Sequence, residues 1–390
     1  MKLSECEKGP SDSCRALDIT IKPLKDRKII LLATATIHTD SLFVNGLFQN
    51  VFILYKLFDS LGYAPILLVN EKPKDISKVP LILRSVRMVT SEEILRASFP
   101  VKLLIEIAMS IDPDFRSILR KLGTKVVKLY LGNILNIDIE TPIFYPGVHF
   151  SHHIIGELDE IWVSPHYKQH YEYAGILNHC KPAKIAPYVW DPTILTLGGT
   201  RMYKWRPRLP EESQVIVILE PNISFQKCSL VPLLIVERYY KICKGDIKVL
   251  LGNSEKFQGN PFFMKSILPN LELYKDKKLI LSGRHTITSI LTEYPSSFAI
   301  GHHWNNEYNY MTLEYLLSGF PIIHNASDWS DAGYFYSGSD ISEGAGILKK
   351  ALENHSSSLE RYQAGASAVH WRHSPYNPEV QQAWLRLLEA

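Results

Sequence analysis

Residues 297–326 read Ser297-Phe-Ala-Ile-Gly-His-His-Trp-Asn-Asn-Glu-Tyr-Asn-Tyr-Met-Thr-Leu-Glu-Tyr-Leu-Leu-Ser-Gly-Phe-Pro-Ile-Ile-His-Asn-Ala326, and they set the reading of the whole chain. Ser297–Gly301 is a short apolar run without period-two alternation, the pattern of a strand covered on both faces of a parallel sheet. A loop dense in His, Trp and Asn follows, then a helical pattern over Asn309–Leu317, then Gly319-Phe-Pro and a second apolar run at Pro321–His324. Strand, polar loop, helix and strand make a β–α–β unit, whose chirality and burial leave the two strands parallel. Ligands of such units bind at the carboxyl ends of the strands.

The same alternation extends in both directions. Gln214–Leu219, Asp246–Leu251 and Lys278–Leu281 are strand candidates, separated by helical patterns at Ser229–Ile242 and Thr286–Leu291, with another at Ile347–Leu352. Nearer the start, the strand candidates are Ile29–Ala35, Ala64–Asn70, Lys102–Ile107, Lys125–Tyr130 and Glu160–Ser164. Leu47, Val51, Leu54, Phe58 and Leu61 recur at helical spacing between the first two. Pro192, Gly198, Gly199, Pro207 and Pro210 break the pattern in the middle. The organisation expected is a polar tail at 1–24, a domain at 25–190, a linker at 191–212, a second domain at 213–372 and a terminal helix within 373–390, with Val380, Trp384 and Leu387 on one side. The fold class expected is α/β: two Rossmann-like, doubly wound domains facing a cleft that would hold ligand.

Composition agrees with a globular chain. Of 390 residues, 46% are hydrophobic and 21% charged, which excludes a disordered or collagen-like protein. Forty-three Lys and Arg against 40 Asp and Glu leave +3, too balanced for a nucleic-acid footprint over the whole protein. Ile29-Ile-Leu-Leu-Ala33 typifies the longest apolar runs, far short of the ~20 residues that cross a bilayer, so no membrane span is expected. The five cysteines form no C-x-x-C pair, and neither a zinc knuckle nor a disulfide framework is indicated. Residues 1–28 lack the apolar core of a signal peptide, which makes a reduced cytoplasm the expected compartment.

Several chemistries lose their main support. No G-x-G-x-x-G or G-x-x-x-x-G-K-[ST] loop occurs, nor a G-x-S-x-G elbow, and each of these chemistries needs glycine at a defined turn. What remains is the polar loop after Gly301. The helix beginning near Asn309 offers free amides and a positive dipole end to a phosphate, while Glu314 could hold a ribose diol. His302, His303 and Trp304 could equally pack against the strand end.

These residues resemble the second domain of GT-B glycosyltransferases, especially retaining ones whose signature has two glutamates eight residues apart. The likeness is greatest to a poorly characterised group with this fold in bacteria and large algal viruses. Its members share His-x-Trp-x-Asn-x-x-Asn-Tyr leading into a Gly-Phe/Tyr-Pro…His-Asn turn, here His302, Trp304, Asn306, Asn309, Tyr310, Gly319, Phe320, Pro321, His324 and Asn325. It extends to Glu220-Pro-Asn-Ile-Ser-Phe-Gln-Lys227, Ser41–Asn50 and Asp159–His166, covering roughly residues 28–370.

The resemblance implies a nucleoside-diphosphate sugar as co-substrate, a glycan hydroxyl as acceptor and no metal. It gives Glu314 the ribose and Lys227 the diphosphate. Asn306 stands where the signature has its first glutamate, Asn309 where it has glycine, and Asn222 where a diphosphate-clamping Arg would stand. An amide hydrogen-bonds sugar hydroxyls but does not stabilise positive charge as a carboxylate does. Arg284, after another strand, is the candidate to compensate for the missing clamp. His302, Trp304, Tyr310, Asn309 and Asn222 are further expected donor contacts. Asn45, Gly46, Gln49 and His152 are expected on the acceptor or sugar side, and His153, with Asn306, near the reacting sugar. Asp112-Pro-Asp114 has the letters of a metal-binding Asp-x-Asp, but Pro113 suits a helix start with the acids as dipole partners. Competing expectations are a sugar-nucleotide epimerase of the same fold and a non-catalytic sugar- or nucleotide-binding protein.

Overall fold

The apolar runs become the strands of two parallel sheets. In the computed structural model, the first contains β1 (Ile29–Thr34), β2 (Ala64–Leu68), β3 (Met88–Val89), β4 (Val101–Ala108), β5 (Lys125–Tyr130), β6 (Glu160–Val163) and β7 (Lys184–Ile185). Their order is β3-β2-β1-β4-β5-β6-β7. The second sheet has β8 (Gln214–Ile218), β9 (Ile247–Leu251), β10 (Leu279–Leu281), β11 (Phe298–Ile300), β12 (Ile322–His324) and β13 (Tyr334–Phe335), in the order β10-β9-β8-β11-β12-β13. β1 and β2 are buried along their whole lengths, as runs of Ile, Leu and Ala must be when helices cover both faces. The structure describes residues 24, 26–35, 46–79, 81–97, 100–145, 147–148, 153–154, 156–165, 171–181, 183–195 and 203–390.

Helices of seven residues or more connect the strands. In the first unit these are α1 (Gly46–Ser60), α2 (Ser91–Ala97), α3 (Pro113–Lys121), α4 (Ile134–Phe144) and α5 (Tyr171–Leu177). In the second they are α6 (Leu230–Cys243), α7 (Ile287–Glu293), α8 (Tyr310–Leu317) and α9 (Ile341–His373), and α10 (Pro378–Glu389) ends the chain. Each sheet is doubly wound, so each has one point where strand order reverses: between β1 and β4, and between β8 and β11. Crevices for ligands form at such points, outside the carboxyl ends of the strands.

Two boundaries differ from the sequence reading. The chain divides into one unit running to Trp190 and resuming at Pro375–Ala390, and another at Asp191–Ser374. The segment read as a linker thus begins the second unit, fastened there by Trp205, whose ring meets His355 at 4.5 Å. The terminal helix belongs to the first unit. Its Trp384 lies edge-on to Phe58 of α1 and Trp162 of β6, with centroids 5.4 and 5.8 Å away, because its apolar side needs an apolar surface to cover it. The helical pattern at Ile347–Leu352 is one part of α9, which runs for 33 residues. Gly365 inside that helix lets it approach the Asp331 carbonyl, which a Cβ there would meet at a tight 3.2 Å.

Candidate functional site

The loops leaving β8 and β11 bring most of the candidates together where the second sheet reverses. After β8 the chain turns through Asn222, whose φ of +53° suits asparagine in the left-handed region. The Asn222 N–H donates to the Lys227 carbonyl (3.0 Å), and the Lys227 N–H donates to the Ser224 carbonyl (3.2 Å). The Asn222 side-chain oxygen accepts the Ser229 N–H at 2.8 Å, and its Nδ2 donates to the Asn253 carbonyl at 3.0 Å. Asn253 donates back to the Leu219 carbonyl at 2.9 Å. Asn222, read from the sequence as a donor contact at the position of a clamping Arg, is therefore committed to holding the loop. That loop presents Lys227 half-buried.

After β11, the His302 N–H donates to Oε1 of Glu220 at 3.3 Å. The His302 ring bonds Tyr336 through Nδ1 (2.8 Å) and Ser339 through Nε2 (3.4 Å). Burial pushes its imidazole down to about 4, so the ring is neutral near physiological pH. His302 thus braces the strand end. The Trp304 N–H donates to the Gln226 carbonyl (3.2 Å) and ties the two loops together, while its ring stays 44% exposed. Asn306 is buried in the same loop. Asn309 caps α8 by accepting the Met311 N–H at 3.0 Å; this occupies one of the amides expected for phosphate, and Tyr310 opens the helix half-buried.

Three charged groups set the electrostatics. Glu220 is 1% exposed, and burial pushes its carboxyl up to about 7 against the pull of Lys227 and the His302 N–H. Burial also lowers the Lys227 ammonium below the usual range, while the charge of Glu220 acts in the opposite sense. Lys227 makes no ion pair among the described residues. Glu314, on α8, is pushed up to about 7 by desolvation alone, and its carboxyl has no hydrogen bond or ion pair among the described residues.

Glu220 is the member that sequence reasoning missed as a site residue. A Cβ at Gly301 would stand 3.5 Å from both Glu220 Oε1 and Met311 Cε and 3.8 Å from His303 Nε2, so strand end, first turn of α8 and buried carboxyl converge there. The sequence signals were its place in the Glu220–Lys227 stretch of the resemblance and a glutamate directly after an apolar strand and before Pro221.

Arg284 is exposed on the loop after β10, the edge strand two places from β8, and the carbonyl of Gly283 beside it accepts the Asn253 N–H at 3.0 Å. In the first unit, His153 Nε2 lies 2.8 Å from Asp138 Oδ2, which also accepts the Tyr173 hydroxyl at 2.6 Å. The Asn178 amide nitrogen is 3.4 Å from His153 Nδ1. Gly46 starts α1 half-buried and Gln49 lies buried in its first turn, whereas Asn45 and His152 fall outside the described residues. Asp112 is the N-cap of α3, accepting the Asp114 and Phe115 N–H groups at 2.9 and 3.2 Å. Among the described residues, no group of three or more His, Cys, Asp and Glu is placed to hold a metal, and no helix is long and apolar enough to cross a membrane.

Two parallel sheets wound with helices match the architecture of GT-B glycosyltransferase structures. A glycosyltransferase from Rickettsia africae ESF-5 shares 12% identity at a TM-score of 0.57, over 93% of this chain and 98% of that one. An alpha-glucosyltransferase solved with UDP and a 13-mer DNA containing an HMU base shares 12% at 0.58, over 93% and 100%. HepE of Anabaena, solved with UDP-glucose, shares 11% at 0.55, over 93% and 99%. At such identities the likeness establishes the fold. The chain itself belongs to the family described as "Protein of unknown function (DUF2827)", which it matches over residues 31–388. No curated protein matches its sequence.

Proposed function

We propose that this protein is a metal-independent, retaining glycosyltransferase that moves a sugar from a nucleoside-diphosphate donor to a hydroxyl of a glycan acceptor. The observation that carries this reading is Lys227, an ammonium without an ion pair among the described residues, held by a fastened loop where the sheet reverses. A leaving nucleoside diphosphate gains negative charge in the transition state, and a fixed cation at that point stabilises it without reorganising. Such an ammonium supplies the charge that a divalent ion supplies in metal-dependent transferases.

Glu314 supports the ribose role, because its carboxyl oxygens have no internal partner to give up before accepting two hydroxyls. In the first unit, His153 is the candidate for a sugar hydroxyl, its ring oriented by Asp138. The neighbours solved with UDP and UDP-glucose make UDP-sugars the first donors to test.

A thermal-shift series with UDP-, GDP- and dTDP-sugars, followed by transfer assays with and without EDTA, tests the reading. Stabilisation by one donor class and EDTA-insensitive transfer are expected; binding without turnover would leave a binding protein instead. One observation favours an epimerase of the same fold: Glu220 and Glu314 both titrate near neutrality, as a general acid and base require. Product analysis separates the two. A transferase releases nucleotide, whereas an epimerase returns an isomerised donor with the nucleotide still attached.

A further inference from the structure

The proposed donor site stands directly above a buried acid that the donor role leaves unused. Glu220 Oε1 accepts the His302 N–H, while Oε2 has no hydrogen-bond partner among the described residues. Every titratable group that acts on it or feels it belongs to the same corner. His303 Nδ1 lies 4.0 Å from Oε2, and Lys227 exerts the one opposite charge. Cys228 and Tyr336 both feel the carboxylate's charge, and Tyr336 also bonds the His302 ring. His302 itself is neutral near pH 7. The carboxyl therefore sits sealed from the surface in this corner, with one of its two oxygens lacking a hydrogen-bond partner among the described residues. A carboxylate in that position is tolerated only while Lys227 offsets it.

Resting on the donor reading above, we propose that Glu220 is a positioning residue that binds a proton when a nucleoside-diphosphate sugar arrives. The physical reason is competition for one cation. The diphosphate brings two negative charges to Lys227, so Glu220 loses its counter-charge and gains like charges nearby, and both effects favour its neutral form. Neutral, it keeps the His302 N–H through one oxygen and carries its proton on the other. The corner thus sheds an internal negative charge as the external one enters, which answers the absence of a second cation at Asn222. The proton comes from solvent, and no bond other than O–H forms.

The test is isothermal calorimetry of the full chain near pH 7 with UDP-glucose, GDP-mannose and dTDP-glucose. In these donors the diphosphate is doubly esterified and has no group titrating near neutrality. For the donor that binds, the heat is measured in phosphate, HEPES and Tris, whose ionisation enthalpies differ, in wild type and in Glu220→Gln. Glu314 releases a proton if it ionises to take the ribose diol, so the readout is the difference between the two proteins: wild type should take up more protons per donor than Glu220→Gln, by up to about half a proton at pH 7. Equal proton exchange in the two overturns the inference and leaves the donor reading standing. Failure of all three donors to bind overturns both. Should Glu220→Gln not fold, Glu314→Gln silences the other acid: proton uptake on donor binding by that variant is expected, and its absence overturns the inference.

Discussion

The side-chain oxygen of Asn222 lies 2.8 Å from the backbone nitrogen of Ser229, closing the loop between β8 and α6 with a hydrogen bond that a clamping arginine could not make. A position that looks in the sequence like a lost cation is a gained anchor. Asn222→Ala should lower stability by about 1–2 kcal/mol in urea denaturation, since it removes a buried cap and places alanine at positive φ. Asn222→Arg should also destabilise the protein and should not raise turnover. A faster Asn222→Arg enzyme would contradict the anchoring role.

Lys227 should matter more to turnover than to affinity. The charge it meets grows as the glycosidic bond breaks, so Lys227→Ala is expected to lower turnover by ~10²–10³ while donor affinity falls much less. Steady-state kinetics beside direct donor titration measures the two effects separately.

Glu314 gives a pH-dependent signature. Burial raises its folded-state value to about 7 from an ordinary 4.5, so the folded chain binds more protons than the unfolded chain between those values. Stability is therefore lost as pH rises through that window and stays low above it. Glu314→Gln should be more stable than wild type at pH 8, by about 1–3 kcal/mol, with the advantage shrinking towards pH 4.5. Thermal melts across that range check this. In the same variants, Glu314→Ala should weaken donor binding, and unchanged affinity would contradict the ribose assignment.

Trp384→Ala should cost about 3–5 kcal/mol in the first unit, because the indole fills the space between Phe58 and Trp162. Urea denaturation followed by tryptophan fluorescence reads this loss.

Much of the architecture is legible before any coordinates. The limits of β5 follow from Lys125–Tyr130 alone, since a fully covered parallel strand must be continuously apolar or locally paired. The two-residue strands β3, β7 and β13 escape because two residues carry no period. α9 extends well beyond Ile347–Leu352 because tertiary packing overrides the low helix propensity of Gly344, Gly365 and Ser356–Ser358. Of the candidate-site residues, Lys227 and Glu314 are expected from spacing and resemblance. Glu220 is not, because its character comes from being sealed in by His302 and the first turn of α8, residues far away in sequence.

The return of α10 to the first unit has a consequence for how the polypeptide is made. Glu389 of α10 bonds the Tyr63 hydroxyl and pairs with Lys102 at 2.8 Å. The half that leaves the ribosome first therefore waits, with the seat for Trp384 uncovered, until α10 has been made. A fragment cut after Trp190 would keep its sheet but expose that greasy face, and would be expected to clump unless Pro375–Ala390 were supplied as a separate peptide.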